Sequence, residues 1–323
     1  MIILTGAAGF IGSCVLSRLV ADGLGPETVI VDDFVAAPSK KRNYAGKSCR
    51  DAVERSAFWS WVEGRERDIR MIVHLGARTD TMERDPRIFD ELNVGYTKAM
   101  WSLATRHEIP LVYASSAAVY GAGDLGFSDD DGLTPQLRPL NAYGASKHVV
   151  DAWVLDQPAR PPFWAGLRFF NVYGPNEAHK GRMASVVFHA YRQIEESGAM
   201  RLFRSHRADY ADGDQRRDFV YVRDVVDVVR FFMDHRGASG VYNVGTGQAR
   251  TFNDLATALF AAMPRAPRVT WIDTPEAIRA AYQYFTQADV AKLRSAGYVT
   301  PFTSLDEGVA DYVDRYLRSD RVL

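Results

Sequence analysis

The chain has 323 residues, 47% of them apolar, and its 39 Lys and Arg nearly balance 40 Asp and Glu. That length suits one large α/β domain or a nucleotide domain with a smaller appendage, and the balanced charge gives no field for nucleic acid or a membrane surface. No apolar run reaches the roughly eighteen residues of a membrane span, Cys14 and Cys49 make no disulfide framework, and the 7 histidines lack metal-ligand spacing, so a cytoplasmic protein without a metal site is expected.

The apolar run Met1–Thr5 stops at Gly6, and Gly6-Ala7-Ala8-Gly9-Phe10-Ile11-Gly12 opens a helical pattern that continues through Val20. Strand, glycine turn and helix is the context in which backbone approaches a pyrophosphate and a helix N-terminus points N–H groups at it. Gly6, Gly9, Phe10, Ile11 and Gly12 are therefore candidate dinucleotide contacts. A second strand, Thr28–Val31, ends at Asp32 and Asp33, placed to accept hydrogen bonds from an adenosine ribose, which favours NAD. Lys40, Lys41 and Arg42, with Arg55 further on, suit a 2′-phosphate and hence NADP. A solvated basic loop is the ordinary alternative, and these residues leave NAD and NADP open.

Strand-like runs follow at Met71–Leu75, Leu111–Ala114 and Trp164–Phe170, with helical stretches at Phe89–His107 and Ala142–Leu155. The alternation predicts a doubly wound, Rossmann-like parallel sheet with ligands at the carboxyl ends of its strands. Leu75, Gly76, Ala77 and Arg78 lie past one such end, Ser115 and Ser116 past the next, and Asn171 and Val172 past the third. Within the Ala142 helix, Tyr143 and Lys147 share one face at i,i+4, where an ammonium can favour phenolate over phenol. An ordinary tyrosine, with a pKa of about 10, is a poor base at neutral pH, so such tuning is what alcohol oxidation needs. Ser116 supplies a second hydroxyl to hold a carbonyl.

Beyond Gly174 the alternation loosens into polar loops at Pro175–Arg182 and Phe203–Arg217, a strand at Val241–Val244 and a helix capped by Thr251. Residues 1–174 read as the dinucleotide domain and 175–323 as a smaller α/β substrate domain, with segments at about 218–250 free to return to the main sheet.

The glycine turn, Ser116-Ala117-Ala118-Val119-Tyr120-Gly121, Tyr143-Gly144-Ala145-Ser146-Lys147, Arg168-Phe169-Phe170-Asn171-Val172-Tyr173-Gly174-Pro175 and Arg217-Asp218-Phe219-Val220-Tyr221-Val222 together resemble the extended short-chain dehydrogenases/reductases that act on nucleotide sugars. The stretches Glu177–His189 and Tyr282–Asp289 narrow the resemblance to the ADP-glycero-manno-heptose 6-epimerases. It implies a tightly held NADP, a cytoplasmic homo-oligomer and inversion at C6 of ADP-D-glycero-β-D-manno-heptose, a precursor step for the lipopolysaccharide inner core. By the same resemblance Tyr143 is the base, Lys147 lowers its pKa and holds the nicotinamide ribose, Ser116 donates to the developing carbonyl oxygen, and Lys180 is a second acid/base. Asn93 and Val172 join the cofactor contacts. Asn171, Arg182, His189, Phe203, Arg204, Ser205, His206, Arg217 and Tyr282 fall at positions that touch the ADP-sugar.

Arg182 departs from the small serine expected there, which weakens that contact. Arg217 suits a pyrophosphate by its planar fork, although a pair with Asp214 or Asp218 is the plain alternative. His189 is as well explained as a partly buried structural histidine. A 4,6-dehydratase would need a carboxyl pair after Ser116, where Ala117 and Ala118 stand. A UDP-sugar 4-epimerase shares Ser, Tyr and Lys, and the His179-Lys180-Gly181 loop argues against it. A non-catalytic dinucleotide sensor would lose the tyrosine or lysine, and both are present.

Overall fold

A computed structural model describes residues 1–35, 37–83, 85–279 and 282–323. Its centre is a sheet of seven parallel strands, β1 (Ile2–Thr5), β2 (Thr28–Asp32), β3 (Asp51–Glu54), β4 (Met71–His74), β5 (Leu111–Ser116), β6 (Trp164–Phe169) and β7 (Gly240–Val244), in the order β7-β6-β5-β4-β1-β2-β3. Strand order reverses between β1 and β4, and that switch point opens a crevice at the strands' carboxyl ends.

Side chains alternate across the sheet, and both faces are covered. Ile2 and Leu4 of β1 face one buried cluster with Val73, Val112 and Leu167, while Ile3 faces the other with Val31, Ile72 and Leu111. That is why these strands read as continuous apolar runs. Helices α1 (Phe10–Ala21), α2 (Tyr96–Arg106), α3 (Ala142–Asp156) and α5 (Val222–Asp234) flank the sheet, while α4 (Val186–Ser197), α6 (Phe252–Ala262) and α7 (Leu305–Tyr312) pack with the smaller sheets. Among the described residues no helix is long and apolar enough to cross a membrane.

The stretch expected as one helix from Phe89 to His107 is instead a short helix at Pro86–Phe89, a π turn at Asp90–Gly95 and then α2. The wider turn places Asn93, fully buried, with its side chain directed back at the loop after β4, and π turns of this kind recur at functional sites. Asn141 caps α3 by accepting the Gly144 N–H at 2.8 Å, which fixes where the helix carrying Tyr143 and Lys147 begins.

Of the later segments, Gly240–Val244 pairs with β6 in the main sheet, whereas Phe219–Tyr221 runs parallel to Asn171–Tyr173 in a separate two-stranded sheet. Met200–Phe203 pairs with Val269–Ile272, and Arg216–Arg217 with Arg250–Thr251. Thr251 and Asp254 form a capping box that starts α6. These small sheets hold the segments Phe203–Arg217 and Tyr282–Asp289 beside the carboxyl rim of the main sheet.

Candidate active site

A cleft of about 560 Å³ follows the switch point, lined by Gly6, Gly9, Phe10, Ile11, Gly12, Asp32, Asp33, Lys40, Arg55, Leu75, Gly76, Ala77 and Arg78. The glycine turn is shaped by close approach. Gly6 sits at φ +69°, and a Cβ there would meet the Gly76 backbone nitrogen at 2.6 Å, while a Cβ on Gly12 would meet the Gly6 carbonyl at 2.1 Å. Gly9 caps α1 without any side chain, and no acidic residue occupies the first turn, so the first amides of α1 are left for an anionic ligand. A dinucleotide pyrophosphate fits this cradle, and Leu75–Arg78 line the cleft beside it.

The adenosine end is defined by paired charges. The Asp32 carboxylate accepts the Ala8 N–H at 2.9 Å, the Asp33 N–H at 2.8 Å and the Lys40 ammonium at 2.9 Å, so it ties the glycine turn to β2. Arg55 pairs with Asp33 at 3.3 Å. Both cations border the cleft and are only partly exposed.

Three expected cofactor residues do not line this cleft. Asn93 uses its whole amide on the protein: Oδ1 accepts the Arg78 N–H at 2.8 Å, and Nδ2 donates to the Arg78 carbonyl at 3.0 Å and to Ser146 Oγ at 2.9 Å. It positions the loop after β4 against α3. Val172 packs half-buried against the main core. The Lys147 ammonium, almost fully buried, donates to the Ala114 carbonyl at 2.8 Å.

Tyr143 and Lys147 lie one turn apart on α3. Burial raises the Tyr143 phenol above its ordinary value, a hydrogen bond with Ser116 acts downward, and the Asp151 carboxylate acts upward. Burial pulls the Lys147 ammonium down to about 8, against the attraction of Asp151. In this state the phenol is protonated and held by Ser116, whose hydroxyl also accepts the Ala118 N–H at 3.1 Å. Beside them His74 is fixed between Thr5 Oγ1 at 2.6 Å and Thr97 Oγ1 at 3.0 Å, and burial lowers its pKa to about 3, keeping it neutral.

Lys180 lines the dinucleotide cleft with its ammonium 5.5 Å from the centre of the Phe10 ring. Burial lowers its pKa, and Glu177 acts the other way. The buried Glu177 accepts the Gly174 N–H at 3.2 Å and the Ser185 hydroxyl at 2.7 Å, anchoring both ends of the loop that carries Lys180. His179 beside it contacts Asn43 Nδ2 at 3.1 Å and the Asn176 carbonyl at 3.0 Å, and burial brings it down to about 4. Arg182 is mostly exposed and pairs with Asp80 at 2.8 Å across the mouth of the cleft.

On the C-terminal side, Arg217 is only 8% exposed, and among the described residues it has no carboxylate partner. Its guanidinium donates to the carbonyls of Arg216, at 2.9 Å, and Gln283, and packs over Phe252 and Tyr282. The alternative partner Asp218 is taken by Thr246 Oγ1 at 2.7 Å and by the N–H groups of Thr246, Gly247 and Ala288. A buried cation capped only by carbonyls and rings is suited to an anion.

Around it Tyr282 meets Phe203 and His206 edge to face at 6.2 and 5.9 Å, an aromatic wall able to hold a planar base. Ser205 Oγ and His206 both bond the Tyr284 hydroxyl. Arg204 lies at the exposed margin, 3.4 Å from Asp273. Asn171 is exposed and accepts from Thr286 Oγ1 at 3.3 Å. His189 sits half-buried on α4, its ring 5.8 Å from that of Phe188.

Sequence reading did not place His74, Asp80, Leu92, Tyr96 and Met183 at the site, and they line the cleft together with His179 and Thr79. Only His179, adjacent to Lys180, and Asp80, four residues past Gly76, carried a usable positional signal. Gln283, whose amide donates to the Gly121 carbonyl, was likewise invisible without the fold.

Residues 2–245 match the NAD dependent epimerase/dehydratase family. The chain is 47% identical over 319 residues to an ADP-L-glycero-D-manno-heptose-6-epimerase of Nitratidesulfovibrio vulgaris, covering 98% of each. The crystal structure of a Helicobacter pylori ADP-L-glycero-D-manno-heptose-6-epimerase superposes with a TM-score of 0.81 at 28% identity, covering 97% of this chain and 95% of that one. A Thermus thermophilus UDP-glucose 4-epimerase in complex with NAD superposes with a TM-score of 0.78 at 26% identity, covering 97% of each chain. With a glycine-cradled dinucleotide cleft and full-length identity of this degree, the chain belongs to the ADP-L-glycero-D-manno-heptose-6-epimerases, extended short-chain dehydrogenases/reductases of the NAD dependent epimerase/dehydratase family.

Proposed function

We propose that this enzyme inverts C6 of the heptose in ADP-D-glycero-β-D-manno-heptose to give the L-glycero epimer, using NADP, in the cytoplasm and as a homo-oligomer, to supply lipopolysaccharide inner-core precursor. Residues 1–174, with β7, carry the cofactor in this reading, and most of 175–323 carries the substrate. The observations that support it are the partly buried Lys180 on the wall of the glycine-lined cleft and the buried Tyr143 phenol on which Ser116 acts. Two proton-handling groups are what inversion at an alcohol carbon needs, because the oxygen changes place when the opposite face is presented.

A bound nicotinamide supplies the removal and return of hydrogen at C6. Gly6, Gly9 and the start of α1 hold its pyrophosphate, and Lys40 and Arg55 neutralise a 2′-phosphate, which is why NADP is preferred over NAD. Ser116 donates to the sugar oxygen. Tyr143 exchanges the proton of the C6 hydroxyl, and for it to act as a base positive charge must approach; Lys147, one helical turn away, is the chain's own source. Lys180, its pKa lowered by burial, reaches the neutral amine more readily than an exposed lysine and exchanges the proton on the other face. Arg217 takes the ADP diphosphate and the Phe203–Tyr282 wall takes the base.

The test is proton NMR of ADP-D-glycero-β-D-manno-heptose incubated with enzyme, with wild type inverting C6 alone. Tyr143→Phe and Lys180→Met, made separately, each lower kcat by about 100-fold or more. Full activity in either variant removes that residue from the scheme. Denaturing the purified enzyme and identifying the released dinucleotide decides between NADP and NAD, and Lys40→Ala with Arg55→Ala selectively weakens retention of the phosphorylated form.

A further inference from the structure

The polar groups beneath Tyr143 and Lys147 are buried more deeply than the tyrosine itself. Asp151 and Arg168 are both 0% exposed, the first on α3 and the second on β6. Asp151 Oδ2 accepts from Arg168 Nε at 2.9 Å and from Ser115 Oγ at 2.8 Å, and its Oδ1 accepts from the Tyr113 hydroxyl at 3.1 Å. Arg168 gives its remaining nitrogens to the Tyr120 hydroxyl at 3.0 Å and Thr134 Oγ1 at 2.8 Å.

Tyr143, Lys147 and Asp151 are spaced i, i+4 and i+8, so they form one stripe of α3 facing β5. The stripe is tied to the end of β5 at two successive turns, by Lys147 on the Ala114 carbonyl at 2.8 Å and by Asp151 on Ser115 and Tyr113. Ser115 is the register partner of Arg168 between β5 and β6, and Ser116, the next residue, holds the Tyr143 hydroxyl.

We propose that Asp151, held by Arg168, is a positioning residue for the epimerisation: it clamps α3 to the end of β5 and thereby sets the Ser116–Tyr143 contact and the seat of Lys147. This rests on the reading of Tyr143 and Lys147 given above. A carboxylate is required because three donors converge on it. An asparagine would turn its own N–H groups on at least one of them and leave the Arg168 charge uncompensated.

The same carboxylate holds Lys147 in its charged form against the pull of burial. The other groups around α3 leave it that role. Tyr113 on β5, Tyr120 in the turn after β5 and His74 on β4 are kept neutral by burial. Asp131 pairs with Lys292 at 2.8 Å and Arg87 with Asp85 at 2.8 Å, while Asp90 and Glu91 are exposed.

The test compares full-length Ser115→Ala, the double variant Asp151→Asn/Arg168→Met, which removes both buried charges together, and Tyr143→Phe, each by thermal melt and by kcat and KM against pH. Ser115→Ala lowers kcat about tenfold with KM changed less than about threefold, and the double variant lowers kcat about 100-fold, as loss of alignment does. Folded variants with kcat within about twofold of wild type, or a kcat loss with KM rising in proportion, would overturn the proposal and leave the pair a structural one. If the double variant does not fold, the kcat and KM of Ser115→Ala decide alone. An inactive Tyr143→Phe beside unaffected positioning variants overturns the clamp only, whereas an active Tyr143→Phe overturns the reading of Tyr143 and the clamp with it.

Discussion

Lys147 Nζ donates to the Ala114 carbonyl at 2.8 Å, one turn along α3 from Tyr143, whose phenol pKa is raised by burial. The lysine is thus stored against β5, its charge facing a peptide dipole, and the phenol stays protonated. Tuning of the tyrosine therefore depends on how the ammonium is shared between Ala114 and whatever enters the site.

Loss of the Lys147 charge sets the alkaline limit of activity. With its pKa lowered to about 8 by burial, kcat/KM of the enzyme is expected to fall above that pH, and a profile flat to pH 9.5 or beyond, roughly, would contradict this. Stability has the opposite sign. The unfolded lysine titrates near its ordinary 10.5, so between about 8 and 10.5 the unfolded chain binds more protons and this group's contribution to folding stability rises with pH.

His74 and His179 sensitise the fold to acid. Their folded pKa values are lowered by burial to about 3 and about 4 from 6.5. Below 6.5 the unfolded state takes up protons that the native state refuses, so stability falls as pH drops through that window and levels off only below the folded values. Urea midpoints at pH 7 and pH 5 should differ less in His74→Gln than in wild type. An equal difference in the two proteins would remove His74 from the explanation.

Asn93→Ala leaves the Arg78 N–H, the Arg78 carbonyl and Ser146 without their partner. A stability loss of about 2–3 kcal/mol is expected by denaturant titration, since buried polar groups left unmet carry their desolvation cost. Because the loop it holds walls the cleft, cofactor content after purification should fall as well. Unchanged stability with lost cofactor would instead make Asn93 a direct ligand.

With Arg217 holding the diphosphate as proposed, Arg217→Met should raise KM for the ADP-sugar about 100-fold with kcat changed little. The unfolding midpoint should move by no more than about 1 kcal/mol, because the cation is buried without a carboxylate to compensate it. A large stability loss with KM unchanged would return Arg217 to a purely structural role.

Much of this was readable from residues because short local rules fixed it. The glycine turn follows from backbone sterics at Gly6 and Gly12, and the face shared by Tyr143 and Lys147 follows from helical spacing. What escaped depends on contacts between distant segments. The π turn that aims Asn93 inward, the diversion of Arg182 to Asp80 and the bond from Gln283 to Gly121 join residues separated by 15, 102 and 162 positions. No periodicity records such meetings. The phenol's raised pKa was hidden for a related reason: charge spacing is visible in a helix, but the depth at which that helix is packed is not.

The origin of β7 bears on how the chain is made. Strand β6 ends at Phe169, yet its outer partner begins only at Gly240, so during synthesis an apolar strand edge stays unpaired while some seventy residues emerge, the figure being roughly the gap between them. A fragment cut near residue 174 would retain the dinucleotide cradle and expose that edge, and is expected to aggregate, whereas supplying the downstream portion in trans should restore a soluble product.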